Sequence, residues 1–381
     1  MKRRTVFDLT IDFKKSHGSY LFDKKSNREF LDLFNMFSSL PLGYNHEIFD
    51  AGFEDKIKSV AKLRMCNNLF LSEELEEFIA LFRKHVFSDY IHLTCTGALA
   101  VEAAIKCAME TKKIKNPMVL ATKRAFHGIN SWGFITDRHA VTAERIKNFP
   151  QNDWKNLELA EIKEYLSTQD TQDLVAVVVE PIQCTAGDLY LNANELKEIN
   201  QLCSDKGICF IVDEIQTGFG VTGKMWYSDW IGLKPDVLVF GKKAQICGIV
   251  VSEKFNDCLT SPYRKLEVTF DGELIDIIRA TYILRAYEKF DLVNKANHNS
   301  ECFAALLKNR VKNYRSRGLL IAYDFETREE RNAFAKGCLD HQLLVNPTAE
   351  KTIRLRPNLA ISKPEIDHFA KIIDHLLPDF S

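Results

Sequence analysis

Ile208-Cys-Phe-Ile-Val-Asp213 is an apolar run that ends in an acid, and Val237-Leu-Val-Phe-Gly-Lys242 is a second that ends in an amine. Runs apolar at every position are what strands buried on both faces require, and such strands belong to parallel sheets. Met118-Val-Leu-Ala-Thr122 and Leu174-Val-Ala-Val-Val-Val179 read the same way. Helical patterns lie between them. Ala98 to Lys112 is rich in alanine and glutamate, and Glu195 to Asp205 stops just before Gly207, a C-capping glycine. Strands alternating with helices predict an α/β fold on a mostly parallel sheet.

Outside this block the pattern changes. Tyr20-Leu-Phe-Asp23 and Glu29-Phe-Leu-Asp-Leu-Phe34 alternate as in a small meander. From about residue 290 helices are expected to dominate: Asp291 to Arg315 reads as one long helix, and Ser362-Lys-Pro-Glu365 is a capping box that opens a last helix. In that helix Ile366, Phe369, Ile373 and Leu376 form one apolar stripe. The expected division is a large domain over 51–290 and a smaller α+β domain made by both termini, 1–50 and 291–381.

The 381 residues are 46% apolar and 27% charged, the composition of a folded globular chain. Lysine plus arginine (51) against aspartate plus glutamate (52) gives a net charge of −1, so no general positive field exists to hold nucleic acid or an anionic membrane. No apolar run approaches the ~20 residues a membrane span needs. Met1-Lys-Arg-Arg4 resembles the start of a secretory signal, but Asp8 and Asp12 interrupt what would be its apolar core, and a cytoplasmic location is expected. The ten cysteines form no C-x-x-C pair, and Cys107, Cys203, Cys209 and Cys302 lie in apolar stretches, so reduced thiols are expected. The histidines show no H-x-x-x-H, and no metal site is expected.

Ligands of open α/β sheets bind at the C-terminal edge of the strands, and Asp213 and Lys242 both stand there. A carboxylate opposite a desolvated lysine suits pyridoxal phosphate: the lysine forms the Schiff base, and the carboxylate keeps the pyridine nitrogen protonated. The plainer alternative makes Asp213-Glu214 and Lys242-Lys243 solvated charges at loop edges. Thr94-Cys-Thr-Gly-Ala98, ahead of a helix, offers backbone N–H groups to a phosphate or is an ordinary small-residue turn. Arg124-Ala-Phe-His-Gly128 carries an aromatic that stacks on a planar ring or fills the core. A rival class rests on Gly218-Phe-Gly-Val-Thr-Gly-Lys224, which fits the ATPase phosphate loop G-x-x-x-x-G-K, but Met225 has no hydroxyl for magnesium and the segment lacks a strand of its own.

Val212-Asp-Glu-Ile-Gln-Thr-Gly-Phe-Gly-Val-Thr-Gly223 with Lys234-Pro-Asp-Val-Leu-Val-Phe-Gly-Lys-Lys-Ala-Gln-Ile-Cys-Gly248 resembles the signature of class III aminotransferases, most of all the lysine 6-aminotransferases. The likeness extends to Ser16–Tyr20, Gly97–Glu102, Arg124–Gly128, Phe149–Trp154, Glu180–Gln183 and Ile353–Pro357, nearly the whole chain. It implies fold type I of the pyridoxal-phosphate enzymes, an amine donor and an oxo-acid acceptor, and a homodimer that shares its active sites. Lys242, matching the first lysine of Gly-Lys-Lys, would be the Schiff-base lysine and proton carrier. Asp213 would pair with the pyridinium nitrogen, Gln216 would bond the ring hydroxyl, Phe126 would stack on the ring, and Gly97 and Ala98 would hold the phosphate. Thr269 would reach that phosphate from the neighbouring subunit. Arg354 would grip a substrate carboxylate, with Arg356 a near neighbour of the same charge.

Two positions depart from the pattern. Ile129 stands where lysine aminotransferases carry the arginine for the donor's α-carboxylate, and Thr185 stands where the family has a glutamate that masks Arg354. The expected donor is therefore an ω-amine whose far end is less charged, or is held by other residues, with 2-oxoglutarate as acceptor. Aminomutase chemistry on the same fold, and a relative that binds cofactor without turnover, are the alternatives.

Overall fold

The four apolar runs stand side by side. In the computed structural model, which describes residues 6–64, 70–129, 154–263 and 265–377, Val237–Phe240, Cys209–Asp213, Leu174–Val179 and Met118–Thr122 are consecutive parallel strands of a seven-stranded sheet. Lys155–Leu157 extends the sheet beyond Met118–Thr122. At the other end Cys247–Val251 runs antiparallel between Val237–Phe240 and Tyr90–Thr94.

Alternate residues of the central strands feed opposite layers, as the period of two demands. Cys209 and Ile211 pack on one side with Ala100, Ala104 and Ala108 of helix Gly97–Lys112. Phe210 and Val212 pack on the other with Leu196, Ile199 and Cys203 of helix Ala193–Asp205 and with Ile162 of Leu159–Thr168. Both faces are covered by helices, which explains why these strands carry no polar alternation. Helix Ala193–Asp205 ends as read, with Gly207 left-handed at φ +65°.

The two chain ends meet. The hairpin Tyr20–Asp23/Arg28–Asp32 gains Leu343–Leu344 as a parallel third strand, with Leu31 opposite Leu343. Glu365, in the predicted capping box, accepts from the Ser362 N–H through one oxygen and from the Ser19 N–H through the other. After Asp32, Asn35–Ser38 form a turn in which four successive residues have positive φ, 52°, 44°, 60° and 71°. The Asp32 carboxylate holds its start, accepting from Phe34 and Asn35 N–H and from the Tyr44 hydroxyl. Gln245 donates to Ser39 O at its end.

The long helix expected over Asp291–Arg315 is shorter. It covers Leu292–Leu307, and Lys312–Arg317 is a strand paired with Leu320–Asp324. Gly318 makes the reversal at φ +55°, where a Cβ would lie 2.2 Å from Val221 O. Thr352–Leu355 and Asn346–Thr348 complete a four-stranded antiparallel sheet, which stands beside the helices that hold most of the regular structure beyond residue 290. Pairing with the wholly buried Leu320–Ala322 overrides the helical periodicity.

The phosphate-loop reading of Gly218–Lys224 fails on packing. A Cβ on Gly218 would lie 2.6 Å from the Trp226 ring, Phe219 and Val221 are buried, and Lys224 sits over Trp230. This turn is part of an aromatic cluster in which Phe82 faces Phe78, Phe219, Trp226 and Phe240 at 4.9–6.4 Å between ring centres. Phe82→Ala is expected to lower unfolding free energy by about 3–5 kcal/mol, read as a drop in the denaturant midpoint at unchanged slope.

Candidate active site

Asp213 is the last residue of its strand, level with Val239 on the neighbouring one. Its side chain is buried; Oδ1 accepts from the Ile215 N–H at 3.0 Å, and Oδ2 lies 2.9 Å from His127 Nδ1. A carboxylate only accepts, so Nδ1 carries the proton. Burial opposes a charge on His127, but the hydrogen bond and the charge of Asp213 outweigh it and hold the imidazole above its ordinary value. Glu214 turns the other way, into the core, where Thr217, Tyr227 and Ser228 donate to it. Neither acid is a solvated loop charge.

The two lysines part in the same manner. Lys243 is 1% exposed and donates to Gln216 O at 2.7 Å from inside the protein. Lys242, in a left-handed turn at φ +48°, borders a cavity of about 290 Å³ that Asp213 and Gln216 also border. Burial pulls the Lys242 amine below its ordinary range, partly offset by Cys184, Asp213 and Glu180. The amine thereby gives up its proton more readily than an exposed lysine does.

Gly97, Ala98, Phe126 and Gly128 complete one side of the cavity. Gly97 begins its helix, which the Thr96 hydroxyl caps by accepting from the Leu99 N–H at 3.3 Å. A Cβ on Gly97 would lie 2.7 Å from Ile215, and one on Gly128, at φ +102°, would lie 2.5 Å from the Ala98 Cβ. Small residues keep the backbone donors of this helix start within reach of a ligand. A helix N-terminus for phosphate, an acid for a ring nitrogen and a desolvated amine for an aldehyde, all on one cavity, fit pyridoxal phosphate.

Six of the eight residues singled out from the sequence therefore border one cavity: Gly97, Ala98, Phe126, Asp213, Gln216 and Lys242. Thr269 is exposed and does not border it. Arg354 is buried behind the wall; Nη1 donates to Cys184 O and, with the Asn346 amide oxygen facing it, Nη2 donates there at 2.9 Å. Ile129 and Thr185, the two departures, do border the cavity. Of the motif Phe149–Trp154, only Trp154 lies within the described residues.

His127 and Glu180 carried no role in the sequence reading. Glu180 follows the apolar run Leu174–Val179 as Asp213 follows its own, and that signal would have found it. Its Oε1 accepts from the Phe126 N–H at 2.7 Å. Burial pushes its carboxyl up to about 7, with His127 opposing and Asp213 adding to the rise.

The family model for class III aminotransferases matches residues 2–377. The chain is 27% identical to an L-lysine-epsilon aminotransferase of Amycolatopsis lactamdurans over 95% of its own length and 90% of the relative's. It is 28% identical to an ornithine aminotransferase of Oceanobacillus iheyensis over 97% and 94%. Among solved structures, the lysine aminotransferase from M. tuberculosis in its internal aldimine form superposes with a TM-score of 0.90 at 26% identity, covering 98% of this chain and 96% of that one.

A carboxyl whose folded value exceeds its ordinary 4.5 binds its proton more tightly in the folded state. Its contribution is complete below pH 4.5, declines as pH rises to about 7, and is constant above. Glu180→Gln keeps the acceptor oxygen and removes this loss. In thermal melts of the cofactor-free protein, the midpoint of the variant minus that of the parent should rise between pH 4.5 and 7 and then level off.

Proposed function

Because the chain belongs to the class III aminotransferases, pyridoxal-phosphate enzymes of fold type I, we propose that it moves an amino group from an ω-amine donor to an oxo acid, 2-oxoglutarate foremost, in two half-reactions. The observation that carries this reading is the shared cavity of Asp213 and Lys242. When bound, pyridoxal phosphate supplies an electron sink and a carrier for the amino group.

Each role follows from local chemistry. Lys242, whose proton burial loosens, would as the free amine attack a carbonyl carbon and carry a proton between substrate and cofactor carbons. Asp213, braced by His127 and the Ile215 N–H, would hold a proton on the ring nitrogen. Gln216 would bond the ring hydroxyl, Phe126 would cover the ring face, and the N–H groups of Gly97 and Ala98 would take the phosphate. Exposed Thr269 would serve the site of a second copy, which makes the enzyme a homodimer. The same reading makes 51–290 the cofactor-binding domain and 1–50 with 291–381 the smaller one, with a cytoplasmic location.

The donor is constrained by the two uncharged side chains, Ile129 and Thr185, that border the cavity. Ile129 offers an α-carboxylate no charge partner, and Thr185 cannot mask Arg354 by charge pairing. Arg354 stands behind the Thr185 turn, hydrogen-bonded to the uncharged Cys184 O and Asn346 Oδ1. A guanidinium answers a planar carboxylate with two parallel bonds, which suits the acceptor acid. The donor would be an amine with a weakly charged far end.

Rapid mixing of the holoenzyme with lysine, ornithine, diamines and amino sugars, followed by absorbance, tests this. Uncharged-tail amines should react at least ~10-fold faster at equal concentration than free lysine, the order of one lost charge-assisted contact. Fast turnover of lysine with ordinary saturation would overturn the donor assignment. Lys242→Ala should abolish transfer and the absorbance of the lysine-linked cofactor, and catalysis must depend on an added oxo acid; an aminomutase would need none.

A further inference from the structure

Gln216 meets Arg356 inside the protein. Arg356 is 0% exposed and uses all three of its nitrogens. Nη2 pairs with the equally buried Asp188 carboxylate at 2.5 Å, Nη1 donates to Leu355 O and Ile321 O at 3.0 and 3.3 Å, and Nε donates to the side-chain oxygen of Gln216 at 3.2 Å. A side-chain amide can be turned either way, but a guanidinium carries donors and no acceptor. Beside Arg356 the amide must present its oxygen, and its NH₂ is the end left for the cavity that Gln216 borders. Lys243 holds the main-chain carbonyl of the same residue at 2.7 Å, so the orientation of the amide is the freedom Arg356 removes.

We propose that Arg356, locked by Asp188, is a positioning residue that fixes Gln216 as a hydrogen-bond donor toward the cavity and so selects the ionised form of the oxygen bound against it, the ring hydroxyl of pyridoxal phosphate. The proposal rests on the reading of Gln216 as that hydroxyl's partner. A donor lowers the pKa of the oxygen it faces, whereas an amide turned to present its own oxygen favours the protonated hydroxyl. Asp188 enters because an arginine buried without a counter-charge is strongly destabilising. Gln216, Arg356 and Asp188 come from three separate segments of the chain, so no local motif carries their link.

The test is an absorbance titration of bound cofactor against pH in three variants. Asp188→Asn/Arg356→Met removes both buried charges together, leaving neither stranded. Arg356→Lys keeps a charge for Asp188 but replaces the rigid fork, whose Nε and Nη2 face Gln216 and Asp188 separately, with a rotatable ammonium that does not fix the amide. Gln216→Leu removes the partner altogether. The cofactor transition should move to higher pH by about one unit, a tenfold change in the ionisation constant, in all three. Arg356→Lys should melt near the parent, which keeps the measurement available if the double variant folds poorly. Should Gln216→Leu shift the transition while both Arg356 variants titrate as the parent, the positioning role is overturned. Should Gln216→Leu itself titrate as the parent, the assignment of Gln216 to the hydroxyl falls, and the proposal with it.

Discussion

Two charges at the ends of neighbouring buried strands are the constraint on which the site depends. A carboxylate at the rim of an apolar sheet must find donors, and an amine there must lose some of its affinity for a proton. Asp213 finds His127 and the Ile215 N–H. Lys242 finds a partly buried turn in which desolvation makes its charge more costly than in water. The register that sets Asp213 beside Val239 brings the two ends to one cavity. The surrounding acids and bases are tuned by that closeness: Glu180, His127 and Lys242 each titrate in the field of Asp213.

Behind the cavity, one short turn collects support from the four-stranded sheet. Cys184 O accepts from Arg354, Thr185 O from the Thr348 hydroxyl at 3.0 Å and Gly187 O from Arg315, while Asp188 pairs with Arg356. Thr185, on this turn, brings no charge to the arginine behind it. Here backbone carbonyls do much of the holding, and the side chain offered to the cavity is a neutral threonine. The wall is anchored through its main chain, which leaves its chemistry bland.

What could be read from the chain followed from how local the causes are. Runs such as Leu174–Val179 are apolar at each position because both faces are covered, and that is visible without a structure. The capping box at Ser362 and the acid and amine at the strand ends are local for the same reason. The strand Lys312–Arg317 was not legible, because its partner Leu320–Asp324 and the glycine between them decide its form against its own periodicity. The Arg356–Gln216 contact and the parting of Lys242 from Lys243 depend on tertiary packing alone. His127 stood in a quoted motif, but its tie to Asp213 spans the sheet.

The left-handed turn Asn35–Ser38 gives the start of the chain a stake in the chemistry at the other end of a bond. L-residues in that conformation cost roughly 1–2 kcal/mol each, so four in succession persist only under external restraint. One restraint is Gln245, itself at φ +58° and three residues beyond Lys242, which is also left-handed. Two sprung segments are thus latched to each other. A truncation through Ser39 would take away the catch for the lysine loop, although it deleted nothing that borders the cavity's acid or amine.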